Sequence, residues 1–348
     1  GWRDFTDGKG YTVNLDWTFI LGPRKIHDLK LRLNRDRNET LPYFANRDNV
    51  AAELGINGPS SKPSTWGPPN LNFTNFASLS DASPLLRRNQ TVALTDSVSI
   101  VRGKHSVQAG AEMRWEQINT NADQNARGSL SFSGLLTSGL NANGQPQPGT
   151  GFDFADFLLG FPQSSSIRYG ASNTYFRTRV YAGWLQDEWR MRNNLTLNMG
   201  VRYEYYSPYY EKFGRLSNLD IGPNFTGVSV VTPQQAGAYS GEFPRGLVDP
   251  DKNNWAPRFG FAWRPSSKGK LQIRGGYSIF YDGAAYSNIA VRLAGQPPFA
   301  VTSSLSTSNA RRLTIQNGFL SPVEEGKTIT NNFAVARNYL LPYAQTWN

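Results

Sequence analysis

Apolar residues occupy every second position in the first clear element of the sequence, YTVNLDWTFI at Tyr11–Ile20. A period of two indicates a β-strand, because successive side chains of a strand point to opposite faces of the sheet. Ten residues at about 3.3 Å each extend about 33 Å. Tilted by about 40–45°, such a strand covers about 25 Å, which is the height of the apolar band of a transmembrane β-barrel. The segment therefore has the pattern and the length of a membrane-spanning strand.

The same alternation recurs in pairs of segments along the chain. A short connection such as Arg102–His105 joins the two members of a pair, whereas long stretches rich in Pro, Asn and Ser separate one pair from the next. The eight predicted strands are Tyr11–Ile20, Leu29–Arg37, Thr91–Val101, Ser106–Ile118, Tyr175–Trp189, Leu195–Tyr206, Pro257–Trp263 and Leu271–Tyr281. A ninth strand begins within Leu340–Asn348.

The connections are short on one side of these hairpins and long on the other. A soluble β-sandwich has no reason for this one-sidedness, whereas outer-membrane barrels combine short periplasmic turns with long extracellular loops. We therefore predict an all-β fold, an antiparallel transmembrane β-barrel segment of up-and-down hairpins. Loops of this size would crowd a small barrel, so residues 1–348 are expected to form one partial barrel domain.

A partial barrel has an edge that is not closed. We expect Tyr11–Ile20 to lie at such an open edge, and the strand that begins within Leu340–Asn348 to be truncated. The start Gly-Trp-Arg-Asp resembles an excised or processed piece rather than a methionine start or a signal peptide. The alternative is a complete eight-stranded barrel, in which Tyr11–Ile20 would pair with Leu271–Tyr281 or with the C-terminal segment.

Alternation assigns side chains to the two faces of the predicted sheet. The polar positions could line a solute path, or they could satisfy one another, or a plug, through salt bridges. These lumen-facing candidates are Glu112, Arg114, Glu116, Asn198, Arg202, Glu204, Gln272 and Arg274. The opposite positions are expected to face lipid or to form an interfacial aromatic girdle. These candidates are Trp17, Trp115, Leu197, Met199, Val201, Tyr203, Ile273 and Tyr277.

Two of the segments do not fit the pattern cleanly. Thr91–Val101 places Asp96 in the same phase as its apolar residues. Tyr175–Trp189 could face lipid through Val180, Ala182 and Trp184, or through Tyr181 and Leu185; the first phase is favoured. Trp184, Trp189 and Tyr205 are further girdle candidates. The aromatic residues have a second interpretation as platforms on which sugars stack.

Composition supports a membrane barrel. Aromatic residues make up 13% of the 348 residues, yet the hydrophobic fraction is 39% and the mean hydropathy is −0.50. Many large rings with little total apolar content suit strands in which every second residue is polar. No run of about 18 apolar residues exists, which excludes a transmembrane helix. The net charge of +10 allows a nucleic-acid partner, but the cations are scattered. A basic lumen and loops that face anionic lipid headgroups explain the charge better, and no nucleic acid is expected.

Candidate chemistry is sparse. The chain has no cysteine and two histidines, which excludes disulfides and argues against a multi-histidine metal site. Asp249, Asp251 and Asn253 have the spacing of a calcium loop, but Asn254 and Gly260 stand where such a loop needs Gly and Glu. A turn that leads into a strand explains them better. The sequence contains no GxSxG, P-loop or HExxH motif, so no enzyme, cofactor or metal site is expected.

Several blocks resemble the Oar-like branch of the TonB-dependent receptors. They are YAGWLQDEWRMRNNLTLNMGVRYEYYSP, VRGKHSVQAGAEMRWE, NNWAPRFGFAWRPSSKGKLQIRGGYSIFYD, GFDFADFLLGFP and the terminal LPYAQTWN. The resemblance implies an outer-membrane barrel of about 22 strands around a plug. It also implies a TonB-type energy-coupling partner in the periplasm. Neither a plug domain nor a coupling box is found in these residues.

The leading interpretation is therefore part of an outer-membrane TonB-dependent receptor that takes up an unidentified solute. One rival is an extracellular or surface β-rich binding or adhesion protein. A second rival is a β-sheet glycoside hydrolase that uses paired carboxylates such as Asp153 and Asp156. The residues between those two carboxylates look more like a short helix in a loop.

Overall fold

The alternating segments form strands, and each strand pairs with its neighbours in sequence. The computed structural model describes residues 3–147, 149–266, 271–308, 311–319, 328–330 and 333–348. In chain order its strands are β1 (Phe5–Gly22), β2 (Lys25–Leu41), β3 (Asn70–Phe73), β4 (Leu85–Arg102), β5 (His105–Ala122), β6 (Ser129–Phe132), β7 (Ser164–Gly170), β8 (Asn173–Arg192), β9 (Leu195–Tyr206), β10 (Tyr210–Glu211), β11 (Asn218–Ile221), β12 (Val228–Val231), β13 (Ala236–Gly237), β14 (Gly241–Glu242), β15 (Trp255–Trp263), β16 (Ile273–Tyr281), β17 (Ala300–Ser306), β18 (Thr328–Thr330) and β19 (Tyr343–Trp347).

One long antiparallel sheet contains the predicted hairpins in the order β1-β2-β4-β5-β8-β9-β15-β16-β19, with the short β10 added to β8. This confirms the eight predicted strands and their up-and-down order. Tight turns close the first three hairpins, and Gly103 takes the positive φ of 59° that the β4–β5 turn requires. In the fourth turn, residues 267–270 lie outside the described residues.

The strands of the first hairpins are longer than alternation alone predicts. β1 has 18 residues, whereas its clear alternation covers Tyr11–Ile20. At about 3.3 Å per residue it extends about 60 Å, which at the same tilt covers about 45 Å and exceeds the apolar band of about 25 Å. Beyond the band neither face needs to be apolar, so the pattern disappears while backbone pairing continues, as between Asp7 and Glu39.

The register divides the sheet into two faces. The apolar face carries the row Leu15, Leu31, Leu94, Met113, Tyr181 and Tyr205, whose members are paired from strand to strand. The polar face carries the neighbouring row Asn14, Arg32, Ala93, Arg114, Val180 and Tyr206. Asp96 lies on the apolar face, because it pairs with Leu29 and Ala111, as its phase predicts.

The favoured phase of Tyr175–Trp189 was wrong. Tyr181 pairs with Met113 and Leu185 with Ala109, so these two residues share the apolar face. Val180, Ala182 and Trp184 lie on the polar face instead. Both phases of this strand contain apolar residues, so alternation carries no phase information there and only pairing with β5 settles it.

The long connections contain structure of their own. Segments of three connections form a second sheet in the order β18-β17-β7-β6-β3, in which β3 and β6 are parallel. The buried residues Leu130, Phe132, Ile167 and Phe319 form its core. A second buried cluster includes Leu216, Leu247, Tyr286, Leu293 and Leu341. The loops therefore fold into a cap with two small cores at the long-loop end of the main sheet.

The described residues contain three α-helices, all within the long connections: α1 (Val50–Glu53), α2 (Asp153–Leu158) and α3 (Ala285–Ala294). Short 3-10 turns occur at Pro63–Thr65 and Pro223–Phe225. Helix α2 confirms the short helix expected around Asp153 and Asp156. Among the described residues, no helix reaches the length and apolar character that crossing a bilayer requires.

The main sheet does not close within the described residues. There, β1 pairs with β2 alone, and β19 pairs with β16 alone. Among the described pairings, no backbone hydrogen bonding joins Tyr11–Ile20 to β16 or to β19. This is the arrangement expected for a barrel segment rather than for a complete eight-stranded barrel.

Candidate functional site

A ladder of charged side chains lies on the polar face along β5. Glu112, Arg114 and Glu116 alternate on this strand, so all three project from one face. The Arg114 Nε lies 2.6 Å from Glu116 Oε1, and its Nη1 lies 3.4 Å from Glu112 Oε1. One guanidinium therefore neutralises two carboxylates. The three predicted lumen residues satisfy one another, which is the salt-bridge interpretation considered above.

Tyr209 extends this ladder from the loop that follows β9. Its hydroxyl donates a 2.6 Å hydrogen bond to Glu116 Oε2, so both oxygens of that carboxylate are engaged. Burial, followed by the hydrogen bond and the charge of Glu116, raises the pKa of Tyr209 well above its ordinary value. The phenol therefore stays protonated and remains a donor at physiological pH.

A second charged pair lies on the same face of β9. Arg202 Nε lies 2.8 Å from Glu204 Oε1, and the guanidinium stands over the ring of Trp184 at 5.3 Å from its centroid. Glu204 pairs across the sheet with Ala182, which in turn faces Glu112. Trp184 is thus a support for Arg202 on the polar face, and its assignment to an outward girdle was wrong.

The remaining polar candidates stand apart from the ladder. The Arg274 Nη2 donates a 3.1 Å hydrogen bond to Gln272 Oε1 near the fourth turn. Asn198 lies across from Glu188 and Gly260, nearer the short turns. The structure therefore brings five of the eight candidates into charged groups on β5 and β9 and leaves Asn198, Gln272 and Arg274 outside them.

Apart from Trp184, the outward candidates lie on the apolar face. The register places Leu197, Met199, Val201 and Tyr203 there on β9, with Ile273 and Tyr277 on β16. Trp17 and Trp115 belong to the same face on β1 and β5. The Tyr203 hydroxyl donates to the Lys252 backbone oxygen at 3.0 Å. That the apolar face meets lipid stays a prediction.

A cavity of about 810 Å³ lies where the polar face meets the loop cap. We call it the loop-end chamber. The sheet contributes residues of β4, β5 and β8, and the cap contributes β7 and α3. Its described lining residues are Leu85, Arg87, Asn89, Ile118, Thr120, Ala122, Gln124, Arg168, Ala171, Ser172, Thr174, Phe176, Ser287, Val291, Arg292, Ala294, Gly295, Gln296 and Phe333.

Buried hydrogen bonds fix the cap side of the chamber. The Gln296 side chain donates to the backbone oxygens of Ser217 at 2.7 Å and of Phe333 at 2.9 Å. It also accepts from the Phe333 backbone N–H at 2.6 Å. These bonds join two separate connections at the end of α3, because Gln296 and Phe333 lie between β16 and β19 whereas Ser217 lies between β9 and β15. The chamber wall is therefore held by buried polar contacts as well as by packing.

The chamber residues were missed at the sequence level. Arg87, Arg168 and Arg292 come from β4, β7 and α3, and more than 80 residues separate the first two. Arg168 and Arg292 lie in connections without a clear period, where the sequence gives no register. Only the folded loops bring the three residues to one cavity.

The paired carboxylates Asp153 and Asp156 organise the loop that contains them. Asp153 accepts the backbone N–H groups of Asn75 at 2.6 Å and Phe154 at 2.9 Å. Burial acts to raise the pKa of Asp153, but these hydrogen bonds outweigh it and hold the pKa below its ordinary value. Asp156 accepts from the backbone N–H of Thr137 at 2.9 Å. Because both side chains are buried, they offer neither an exposed nucleophile nor a proton donor.

The possible calcium loop is a turn that leads into β15. Asp249 Oδ2 lies 3.0 Å from Arg337 Nε, and Asp251 accepts from the backbone N–H groups of Asn253 and Leu341. These partners are structural, as the turn interpretation requires. Within the described part of the chain, no group of three His, Asp or Glu side chains is placed to hold a metal ion.

Comparison with known proteins identifies the fold family. A family model described as "Outer membrane beta barrel domain" matches residues 1–348. No curated protein matches the sequence. Among solved structures, the outer membrane transporter YddB from Escherichia coli superposes with a TM-score of 0.48 at 12% identity, over 98% of this chain and 31% of that one. The RagAB peptide transporter superposes with a TM-score of 0.30 at 8% identity, over 97% of this chain and 37% of that one. The chain thus spans about a third of the length of either structure.

Proposed function

Because the chain belongs to the outer membrane beta barrel domain family, we propose that it supplies strands of a TonB-dependent receptor that takes up a solute. The family places the chain in the outer membrane. In this proposal the apolar face meets lipid, the polar face lines the interior of the barrel, and the long connections face the outside of the cell. A plug domain and a TonB-type energy-coupling protein in the periplasm are the proposed partners.

The observation that carries the proposal is the loop-end chamber. It lies on the polar face, at the end of the strands that carries the long connections, and the ladder of Glu112, Arg114 and Glu116 continues along the same face. A chamber in this position suits the first binding site of a solute that enters from outside. The charged ladder suits the wall of the path beneath it.

The resemblance to TonB-dependent receptors adds the energy coupling. The block QDEW at Gln186–Trp189 lies within the last third of β8, and the block LTLNMGVRYE at Leu195–Glu204 forms most of β9. The resembling residues thus lie on both strands of one hairpin of the sheet. The proposal assigns no chemical reaction to the chain, since its role is to bind and admit a solute.

Exhaustion of solutes from the growth medium tests the proposal. We would compare strains that lack this protein, the TonB-type coupling protein, or both, and measure by mass spectrometry which solutes remain in the medium. The expected result is a solute that remains in both single deletions, with no further increase in the double deletion. Reintroducing this protein should restore its removal in the first strain alone.

Two outcomes would reject the proposal. One is the absence of any solute shared by the two single deletions. The other is an additive effect in the double deletion, because additivity means that the two proteins act in independent routes. A protein that served only in surface adhesion would leave the medium unchanged and alter attachment instead.

A further inference from the structure

The loop-end chamber contains three arginines that converge from separate elements. Arg87 belongs to β4, Arg168 to β7 and Arg292 to the last turn of α3. Arginine presents a rigid fork of donors that suits carboxylate, sulfate and phosphate groups. Three such forks line this one cavity.

This charge is not neutralised by the described wall. No Asp or Glu occurs among the described residues that line the chamber. Within the described part of the chain, none of the three arginines forms an ion pair with a carboxylate. The ladder on β5 behaves differently, because there each charge has a partner of opposite sign on the same face.

Arg168 is the most enclosed of the three arginines. Its guanidinium donates to the Gln124 side-chain oxygen, which fixes its direction. Burial lowers the pKa of Arg168, and the charge of Asp123 partly opposes that effect. Asp123 is not part of the chamber wall, and its carboxylate lies 3.8 Å from Lys62. A half-buried cation with a neutral hydrogen-bond partner is suited to receive an anion.

Apolar and aromatic residues complete the wall. Ile118, Phe176 and Val291 line the chamber beside the arginines. The Arg292 guanidinium stands 5.0 Å from the centroid of the Phe333 ring. Ligand sites typically combine an apolar lining with a few convergent polar groups in a volume of about 300–1,000 Å³. The volume of about 810 Å³ falls within that range.

We propose that the loop-end chamber binds a solute that carries several oxyanion groups on an apolar or ring scaffold. The arginines would hold the oxyanions, and the walls around Phe176 and Phe333 would contact the scaffold. This inference rests on the proposed function, since the bound solute would be the cargo. It adds the chemical class of that cargo.

Equilibrium binding to the detergent-solubilised protein tests the charge and the scaffold together. The probe is pyrenetetrasulfonate, whose fluorescence anisotropy rises on binding, and the control probe is a pyrene with a quaternary ammonium group. The tetrasulfonate should bind saturably and more weakly as salt is added, because ion pairing is screened. The cationic pyrene should bind at least tenfold more weakly.

Variants assign the binding to the chamber. Arg87→Gln and Arg292→Gln alter exposed side chains, so the fold should tolerate both. Each should weaken tetrasulfonate binding about tenfold or more, the effect of losing one charge-assisted hydrogen bond. Arg168→Lys keeps the charge but loses the fork, and should also weaken binding. Arg274→Gln is the matched control, because Arg274 lies on the polar face outside the chamber and should leave the affinity unchanged.

Four results would overturn the inference. Three of them are equal binding of the two pyrene probes, binding by Arg87→Gln and Arg292→Gln within twofold of wild type, and an equal loss in Arg274→Gln. Absence of tetrasulfonate binding to the wild-type protein would also overturn it, and would indicate that acidic groups of another segment fill the chamber. Binding in detergent needs no energy coupling. The medium-exhaustion experiment can therefore reject the proposed uptake while the binding experiment supports the anion site. Conversely, the uptake can be supported while the binding experiment rejects the anion site.

Discussion

The imidazole Nδ1 of His105 lies 2.7 Å from the carboxylate Oδ2 of Asp187 on the apolar face of the main sheet. His105 pairs in the register with Trp189, and its ring stacks on that indole with centroids 5.4 Å apart. His105 therefore contacts Asp187 diagonally across the two strands, because Asp187 lies two residues before Trp189, its register partner. A carboxylate on an apolar surface needs such a partner, because losing water around an unpaired charge is costly.

The same diagonal contact between a histidine and an aspartate occurs one hairpin earlier. His27 pairs with Val98, and its Nε2 lies 2.5 Å from Oδ1 of Asp96, again two residues before the register partner. The His27 ring stacks on Phe19 with centroids 5.6 Å apart. The two histidines of the chain therefore each support an acidic residue on the apolar face near the short turns. The pairing also explains why Asp96 lies in an apolar phase.

The first prediction concerns the coupling between His105 and Asp187. His105→Ala should cost about 1–3 kcal/mol, because it leaves the Asp187 carboxylate without its partner. Asp187→Ala should cost less. The double variant should cost less than the sum of the two, and urea unfolding in lipid vesicles measures all three. Ser106→Ala, the next position on the polar face, is the control. Additive costs would show that the contact contributes nothing to stability.

The second prediction tests which face of β9 meets lipid. Val201 lies on the apolar face between Leu185 and Pro257, and Asn198 lies on the polar face. Val201→Arg should destabilise the folded protein in vesicles by about 2–4 kcal/mol, the cost of a cation near the centre of the bilayer. Asn198→Arg should cost less than half as much. Equal tolerance at the two positions would contradict the assignment of faces.

The third prediction tests the corrected phase of β8. Leu185 and Gln186 are neighbours on opposite faces, so they form a matched pair. Leu185→Arg should cost about 2–4 kcal/mol in vesicles, whereas Gln186→Arg places the cation on the polar face and should cost less. If Gln186→Arg were the more destabilising change, the register between β5 and β8 would have to shift by one residue.

The sequence predicted the sheet well where only one phase of a strand is apolar. Leu195–Tyr206 was predicted with its observed bounds, because Leu197, Met199 and Val201 alternate with polar residues. β8 shows the limit of this reasoning. Val180 and Ala182 are buried on the polar face, so this strand has apolar residues on both faces. Its phase depends on pairing with β5, which no local pattern encodes.

The loop cap could not be predicted for a different physical reason. Its sheet joins β3, β6, β7 and β17, which come from three connections far apart in sequence. Short strands of this kind are specified by contacts with one another rather than by an alternating pattern. The chamber could not be predicted for the same reason, because Arg168 and Arg292 line it only when β7 and α3 are folded into the cap.

The fourth prediction concerns the hydrogen bond from Tyr209 to Glu116. Tyr209→Phe keeps the buried ring and removes only the hydroxyl, so one oxygen of Glu116 loses its donor. At neutral pH the substitution should cost about 1.5–3 kcal/mol, as expected for a hydrogen bond to a charged group. Tyr210→Phe is the control, because the Tyr210 hydroxyl makes no hydrogen bond to the described residues. It should cost less than 0.5 kcal/mol, roughly the limit for a neutral surface change.

The cost of Tyr209→Phe should also depend on pH. Burial and Glu116 raise the pKa of Tyr209 above the ordinary value of 10.0, so the folded protein holds this proton more tightly than the unfolded chain does. The stabilisation is then fully present below pH 10 and is lost at higher pH, as the unfolded tyrosine ionises while the folded one does not. The difference between wild type and Tyr209→Phe should stay constant up to that pH and then shrink by up to about 1.4 kcal/mol per pH unit. Urea unfolding in vesicles across this range measures the difference, and the other tyrosines and the lysines cancel because both proteins contain them. A difference that stayed constant above pH 10 would mean that Tyr209 titrates alike in the folded and unfolded states, and the hydrogen bond to Glu116 would then have no energetic role.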